Sequence, residues 1–282
     1  MEKILVIGKN GNLGSEIVRQ LEDKDVTAWD REDLDVTKRD DVLGEITELK
    51  PALVFNCAAF NNVDAAETDP GPANSINGYA PGYLAEACKS VGAILVHYSS
   101  DYVFDGASEQ GYNEDATPNP ISAYGRSKVL GEGEVKKNTD RYYIIRTSWL
   151  FGKKGPSELA KPGFVDTMLA LAKTKPELKV VVDEESRPTF IADLVKVSIG
   201  LIGTNNTYGT YHVVNEGKAS WYELAQEALR IAGINTSVTP VPGSTFSRPA
   251  KRPRYSYLNN TKLPKLRFWQ EALREYVENY RY

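Results

Sequence analysis

Apolar positions in the first half of the chain fall into short runs separated by amphipathic stretches. Ile4–Ile7 is an unbroken apolar run, as a buried strand requires. Leu13, Ile17, Val18 and Leu21 then recur at helical spacing. Val26–Trp29 is strand-like, and Leu53–Ala59, Ala93–Tyr98, Tyr142–Ile145 and Lys179–Val182 continue the series, with Tyr211–Val214 as one more member. Strands that alternate with helical patterns predict βαβ units and a doubly wound parallel sheet. A helix over Ala80–Val91 carries Pro81, so a start or a bend is expected there.

The last third reads differently. Ser220-Trp221-Tyr222-Glu223 has the form of a capping box, and Leu224, Ala228, Leu229 and Ile231 follow at helical spacing. Thr236–Arg254 is rich in Pro, Ser and Thr and is expected to be an extended loop. A final helix is expected from about Leu266 to Tyr280. The organisation expected is a dinucleotide-type domain over 1–148, with about 177–213 returning to it. Residues 149–176 and 214–282 would form a smaller C-terminal substrate-binding lobe.

The first chemical signal is the turn Gly8-Lys9-Asn10-Gly11-Asn12-Leu13-Gly14, between the first strand and the first helix. Glycines there permit a tight turn and close backbone approach to a pyrophosphate, and the helix N-terminus supplies N–H donors. The spacing is Gly-x-x-Gly-x-x-Gly rather than the commoner Gly-x-Gly-x-x-Gly. Asp30, at the end of the second strand, suits the ribose hydroxyls of NAD(H); its neighbour Arg31 suits the ribose phosphate of NADP(H). The two pull in opposite directions, so NADPH and NADH both stay open.

Tyr124-Gly125-Arg126-Ser127-Lys128 is the second signal. On a helix, residues four apart share a face. A free phenol, with a pKa of about 10, is a poor acid–base catalyst at neutral pH. A neighbouring ammonium is expected to lower it and to hold the cofactor ribose. Ser100 ends the strand before Asp101-Tyr102, where a parallel sheet presents its ligand crevice, and could donate to a carbonyl oxygen gaining charge.

Composition narrows the partners. The chain has 282 residues and a net charge of -4, so nothing draws it broadly to nucleic acid or to anionic membranes. It holds two cysteines and two histidines, Cys57, Cys88, His97 and His212, in no metal-ligand spacing. Reduced, buried thiols, no metal, no membrane segment and a cytoplasmic location are expected. Arg248, Lys251, Arg252 and Arg254 form the densest basic cluster, suited to a diphosphate.

Together the glycine turn, Ser100 and Tyr124/Lys128 resemble the extended short-chain dehydrogenase/reductase family, which implies a Rossmann-like sheet. Ser99-Ser100-Asp101-Tyr102-Val103-Phe104-Asp105-Gly106 looks like the Ser-Thr-Asp-Tyr-Val-Phe-x-Gly run of the dTDP-4-dehydrorhamnose reductases. Asn56-Cys57-Ala58-Ala59, Val63-Asp64, Glu67, Ile76-Asn77, Arg146-Thr147-Ser148-Trp149, Pro188-Thr189 and Arg252-Pro253 are similar to further stations of that family. The resemblance implies Ser100, Tyr124 and Lys128 as catalytic. It implies a cofactor site of Gly8, Asn10, Gly11, Asn12, Leu13, Gly14, Asp30, Arg31, Asp35, Ala58, Ala59 and Asn77, with Tyr124 and Lys128. Val63, Asp101, Tyr102, Trp149, Arg187 and Arg252 would meet the substrate, a nucleotide-diphosphate sugar, and a homodimer is implied. The implied activity is NAD(P)H-dependent reduction of a nucleotide-linked 4-ketosugar, foremost dTDP-4-dehydro-L-rhamnose. Departures include Ser100 for threonine and the run Asp183-Glu184-Glu185-Ser186-Arg187. The alternatives are a related epimerase or dehydratase, and a non-catalytic subunit similar to the methionine adenosyltransferase β subunit.

Overall fold

The computed structural model describes residues 3–157, 160–203 and 206–279. The chain runs β1 (Ile4–Ile7), α1 (Asn12–Gln20), β2 (Val26–Trp29), α2 (Arg39–Leu49), β3 (Leu53–Asn56), α3 (Val63–Thr68) and α4 (Pro70–Ala73). A π-helical turn, Asn74–Tyr79, leads into α5 (Ala80–Val91), then β4 (Ile94–Ser100), α6 (Ala123–Asn138), β5 (Tyr142–Thr147), β6 (Leu150–Phe151) and α7 (Phe164–Ala172). Next come β7 (Glu177–Val181), β8 (Glu185–Ser186), β9 (Thr189–Phe190), α8 (Ile191–Gly203) and β10 (Gly209–His212). The chain closes with β11 (Ala219–Ser220), α9 (Trp221–Ala232), β12 (Ser237–Val241) and α10 (Trp269–Asn279); Tyr280, the expected last residue of that helix, lies outside the described residues.

Six strands pair in parallel in the order β10-β5-β4-β3-β1-β2. This is the α/β, doubly wound sheet the alternating pattern predicts. Successive strand residues face opposite sides. Leu5 and Ile7 pack with Val42, Ile46, Leu84 and Val135 of α2, α5 and α6. Val6, between them, packs with Ile17, Leu194 and Val195 of α1 and α8. Both faces are covered by helices, which is why these strands are apolar throughout. A further core joins Leu178 and Val180 of β7 to Leu169, Leu224, Ala228, Trp269 and Tyr276 of α7, α9 and α10.

Two local readings change. The Lys179–Val182 run is a strand, but it pairs with β12 outside the central sheet, so α8 and β10 make the return. Thr236–Arg254 is not wholly loop, because β12 lies within it, in a two-stranded sheet where Pro240 leaves no central ladder short of a donor. As expected, Pro81 sits in the first turn of α5, and the π-helical turn precedes it without a break. The Ser220 capping box forms as expected: the hydroxyl accepts from Glu223 N and the Glu223 carboxylate accepts from Ser220 N. Both cysteines are free, and burial pushes their thiols up, Cys88 to about 12.

Helix α6 is held more tightly than its apolar pattern alone requires. Ser122 caps it on Gly125 N at 3.1 Å, and the Glu67 carboxylate accepts from Ala123 N at 2.7 Å. Gly131 is pressed on the π-helical turn: a Cβ there would lie 2.0 Å from the Asn77 carbonyl oxygen. Gly133, two residues on, is exposed and would meet nothing within 4 Å. Gly131→Ala should therefore lose about 2 kcal/mol or more of unfolding free energy, since backbone must move. Gly133→Ala should gain up to about 1 kcal/mol from helix propensity. Urea unfolding of the two variants checks this; equal effects would mean that α6 is not pressed on that turn.

Candidate active site

Strand order reverses at β1 and β3, which opens a crevice at their C-terminal ends. Gly8 follows β1 with φ +81°, and a Cβ on it would stand 3.0 Å from Ala58 N, across the crevice. At Gly14 a Cβ would come within 2.1 Å of Gly8 O, so only glycine lets α1 start this close to the strand. Gly11 is the N-cap of α1, and no side chain caps the helix. The amides of Asn12, Leu13 and Gly14 lack helical partners by geometry, leaving an anion cradle at the positive end of the helix. This uncapped start fits the pyrophosphate of a nicotinamide dinucleotide.

The other expected cofactor residues surround that turn in different capacities. The Asp30 carboxylate accepts from Asn10 N at 3.0 Å through Oδ2, which braces the turn, and from its neighbour Arg31 N at 2.7 Å through Oδ1. Arg31 is exposed and close enough to act on the Asp35 carboxyl, which Thr37 holds below its ordinary value first of all. The Asn12 side chain accepts from Gly155 N at 2.9 Å, and Asn10 O accepts from Ser157 N, so residues 153–157 strap the turn. Leu13 packs into the core beneath. Across the crevice, Asn56 accepts from Ala58 N at 3.2 Å, ahead of half-buried Ala59. Asn77 is 1% exposed; its amide donates to Phe60 O and Ser127 Oγ and accepts from Phe60 N. It ties the 58–60 segment to α6 and sits behind the groove wall.

Ser100, Tyr124 and Lys128 converge at the end of β4. The Ser100 hydroxyl lies beside the Tyr124 phenol. Lys128 Nζ stands 6.0 Å from the Tyr124 ring centre and donates to Tyr98 O at 3.2 Å, leaving two of its three protons for other acceptors. Burial pushes the Tyr124 phenol up, and the Ser100 hydroxyl offsets this only in part. This reverses the expected lowering. The phenol is wholly enclosed, and desolvation disfavours its anion. Burial likewise lowers Lys128, to about 8, against the opposing pull of Glu132 one helical turn on.

Tyr102 meets Tyr124 edge to face at 5.7 Å and connects it to a cleft of about 720 Å³. Val63, Tyr102 and Arg252 line this cleft, as do Phe164, Trp221, Phe246 and Arg248. Arg252 is already paired, bidentate, with Asp64 at 2.7 and 2.9 Å, and Arg248 with Glu184. Three expected substrate residues stand elsewhere. Asp101 is 2% exposed, with its carboxylate turned to serines. Trp149, with φ +45°, stacks on Trp221 at 3.4 Å, and Trp221 rather than Trp149 lines the cleft. Arg187 pairs with Glu216 at 3.5 Å, off the cleft wall. The Trp221 signal in the sequence was an aromatic at the first position of an amphipathic helix, ahead of its apolar face.

The whole chain, residues 1–282, matches the family model described as RmlD substrate binding domain. A dTDP-4-dehydrorhamnose reductase of Streptomyces griseus is 39% identical, over 96% of this chain and 91% of its own length. The crystal structure of a dTDP-4-dehydrorhamnose reductase from Clostridium acetobutylicum is 44% identical with a TM-score of 0.93, covering 98% of this chain and 99% of that one. The Bacillus anthracis dTDP-4-dehydrorhamnose reductase, solved in complex with NADP, is 37% identical with a TM-score of 0.94, covering 99% of both chains. With sequence and fold both matched from end to end, the chain belongs to the RmlD substrate-binding-domain family.

Proposed function

We propose that this protein is an NADPH-dependent reductase of a nucleotide-linked 4-ketosugar, dTDP-4-dehydro-L-rhamnose being the substrate its relatives' names point to. The observation that carries the reading is the Tyr124 phenol beside the Ser100 hydroxyl, at the meeting of the dinucleotide crevice and the cleft. When bound, NADPH supplies the hydride. The Gly8–Gly14 turn would hold its pyrophosphate and Lys128 its ribose.

Tyr124 keeps its proton at neutral pH because burial disfavours the phenolate. That is the state required of an acid that must give a proton to the oxygen of a ketone being reduced. Ser100 offers a second hydrogen bond to the same oxygen as charge develops on it. Lys128, on the same helix face, offsets the phenolate left behind. In the cleft, Arg248 and Arg252 would meet the diphosphate already oriented by Glu184 and Asp64, and the aromatic walls suit the base and sugar. In this reading residues 1–148 hold the cofactor and 149–176 with 214–282 the sugar nucleotide. Because β7 lines the cleft, the return to the cofactor side starts at α8.

Assaying a panel of nucleotide 4-ketosugars by loss of NADPH absorbance tests the function; no turnover on any of them would sink it. Tyr124→Phe should lower kcat by about 10²–10⁴-fold while NADPH binding, read by fluorescence, changes little. Arg31→Ala should weaken NADPH about 5–10-fold and leave NADH nearly unchanged, as expected for loss of one exposed phosphate contact; parallel loss with both cofactors would remove Arg31 from the ribose phosphate. Lys128 titrates near 8 in the fold but near 10.5 when exposed. The unfolded chain therefore binds the extra proton between these values, and stability should rise as pH climbs through that window. Lys128→Met should accordingly stabilise the fold at pH 7 by about 1–3 kcal/mol while abolishing turnover, a pairing that urea unfolding and an activity assay read together.

A further inference from the structure

Asp101 is enclosed by hydroxyls. Its Oδ1 accepts from Ser100 Oγ at 3.0 Å, and its Oδ2 accepts from Ser256 Oγ at 2.5 Å and Ser186 Oγ at 3.2 Å. These serines come from three places: the end of β4, the 250–260 segment and β8. Asp101 is 2% exposed and Ser186 and Ser256 are no more than 1% exposed, and among the described residues no cation pairs with Asp101. Ser100 Oγ also accepts from Tyr102 N at 3.2 Å.

A serine hydroxyl has one proton. If Asp101 is ionised, both its oxygens only accept, and the Ser100 proton is committed to Oδ1. It is then withheld from a ketone oxygen. If Asp101 carries a proton on Oδ1, the same heavy-atom positions serve the reverse bond. Asp101 donates to Ser100 Oγ, Oδ2 still accepts from Ser256 and Ser186, and the Ser100 proton is free to turn toward the substrate.

We propose that Asp101 is a positioning residue that acts as a neutral acid, setting Ser100 as a donor to the ketone oxygen. The inference rests on the reductase reading above. Burial independently favours the neutral form, raising the Asp101 carboxyl to about 6 against the pull of Ser256, Ser100 and Ser186. The titratable groups that feel Asp101 are the Tyr102 phenol, on the turn after β4, and the Tyr124 phenol, on α6; burial pushes both up. From β8 and the 250–260 segment its immediate neighbours are the neutral Ser186 and Ser256, and beyond them Glu184 and Arg252 act on Tyr102. The buried histidines lie lower, His97 near 3 and His212 near 4, and Lys128 lies near 8. Asp101 is thus the group of this site placed to titrate around pH 6.

The test is kcat against pH for reduction of the ketosugar by NADPH, in the wild type, Asp101→Asn, Asp101→Ala and Ser256→Ala. The acid form is the competent one, so wild-type kcat should fall as pH rises through the Asp101 range. Asp101→Asn, whose amide donates to Ser100 and accepts from the other serines, should lack that fall. Asp101→Ala should lose about 10²-fold in kcat, with KM changed far less, and asparagine should rescue most of it. Ser256→Ala removes a hydrogen bond to the anion and should move the fall upward by about one to two pH units. The inference is overturned if the fall persists in Asp101→Asn, or stays in place in Ser256→Ala, which decides the matter should the Asp101 variants not fold. Difference infrared spectroscopy against Ser256→Ala follows the protonated carboxyl band without turnover. A band that titrates upward on removal of Ser256 supports the inference even if every ketosugar is refused, and that refusal would count against the reductase reading alone.

Discussion

The arrangement depends on one buried ion pair. Glu132 of α6 and Arg146 of β5 are each 2% exposed and meet in a bidentate contact at 2.7 and 2.8 Å. Ser99 of β4 adds its hydroxyl to the same carboxylate at 2.7 Å. Burial alone would raise the Glu132 carboxyl, but Arg146 and Ser99 outweigh it and keep the group ionised. Removing one partner of such a pair typically costs about 3–5 kcal/mol, because the other charge is left stranded. The three elements joined here carry the residues proposed for the chemistry: α6 bears Tyr124 and Lys128, β4 ends in Ser100, and β5 leads to Trp149. A weak joint at this place would let donor, acid and cation drift apart by the ångström that such geometry cannot spare.

Burial then sets each group's charge. The phenol is kept protonated, the ammonium is brought toward neutrality and the carboxyl of Asp101 is raised. All three shifts follow from one cause, exclusion of water, which penalises whichever form is charged. The cleft side works differently. Each of its guanidiniums is held in direction by a carboxylate partner, Arg248 by Glu184 and Arg252 by Asp64. The end proposed for catalysis is thus tuned by desolvation and the end proposed for binding by pairing.

Much of this was legible along the chain. Ile4–Ile7, the glycine turn and the helix after it are local features, set by residues within one βα unit. Tyr124 and Lys128 share a helix face whatever else surrounds them, and Ser100 ends a strand in any parallel sheet. What escaped depends on distant partners. The Glu177–Val181 strand belongs with Ser237–Val241, sixty residues away in sequence by their register, and Pro240 disguised the partner as loop. Trp149 and Trp221 stack on each other, and no pattern in either segment says which of them faces the cleft. The sign of the Tyr124 shift escapes the sequence for a related reason. A charge four residues away is visible in a sequence, whereas complete enclosure by other elements is not.

The π-helical turn at Asn74–Tyr79 carries one further implication. Each residue of a helix advances the chain by about 100° around its axis, and a π-turn absorbs an extra residue without breaking the hydrogen-bonded run. Here that extra residue phases two faces: Asn77 toward Phe60 and Ser127, and α5 toward the sheet through Leu84 and Cys88. An ordinary α-helical path through the same residues would satisfy only one of them. The count of residues in this stretch is therefore constrained as strictly as their kind: gaining or losing a single position would turn either Asn77 away from Phe60 and Ser127 or α5 away from the sheet.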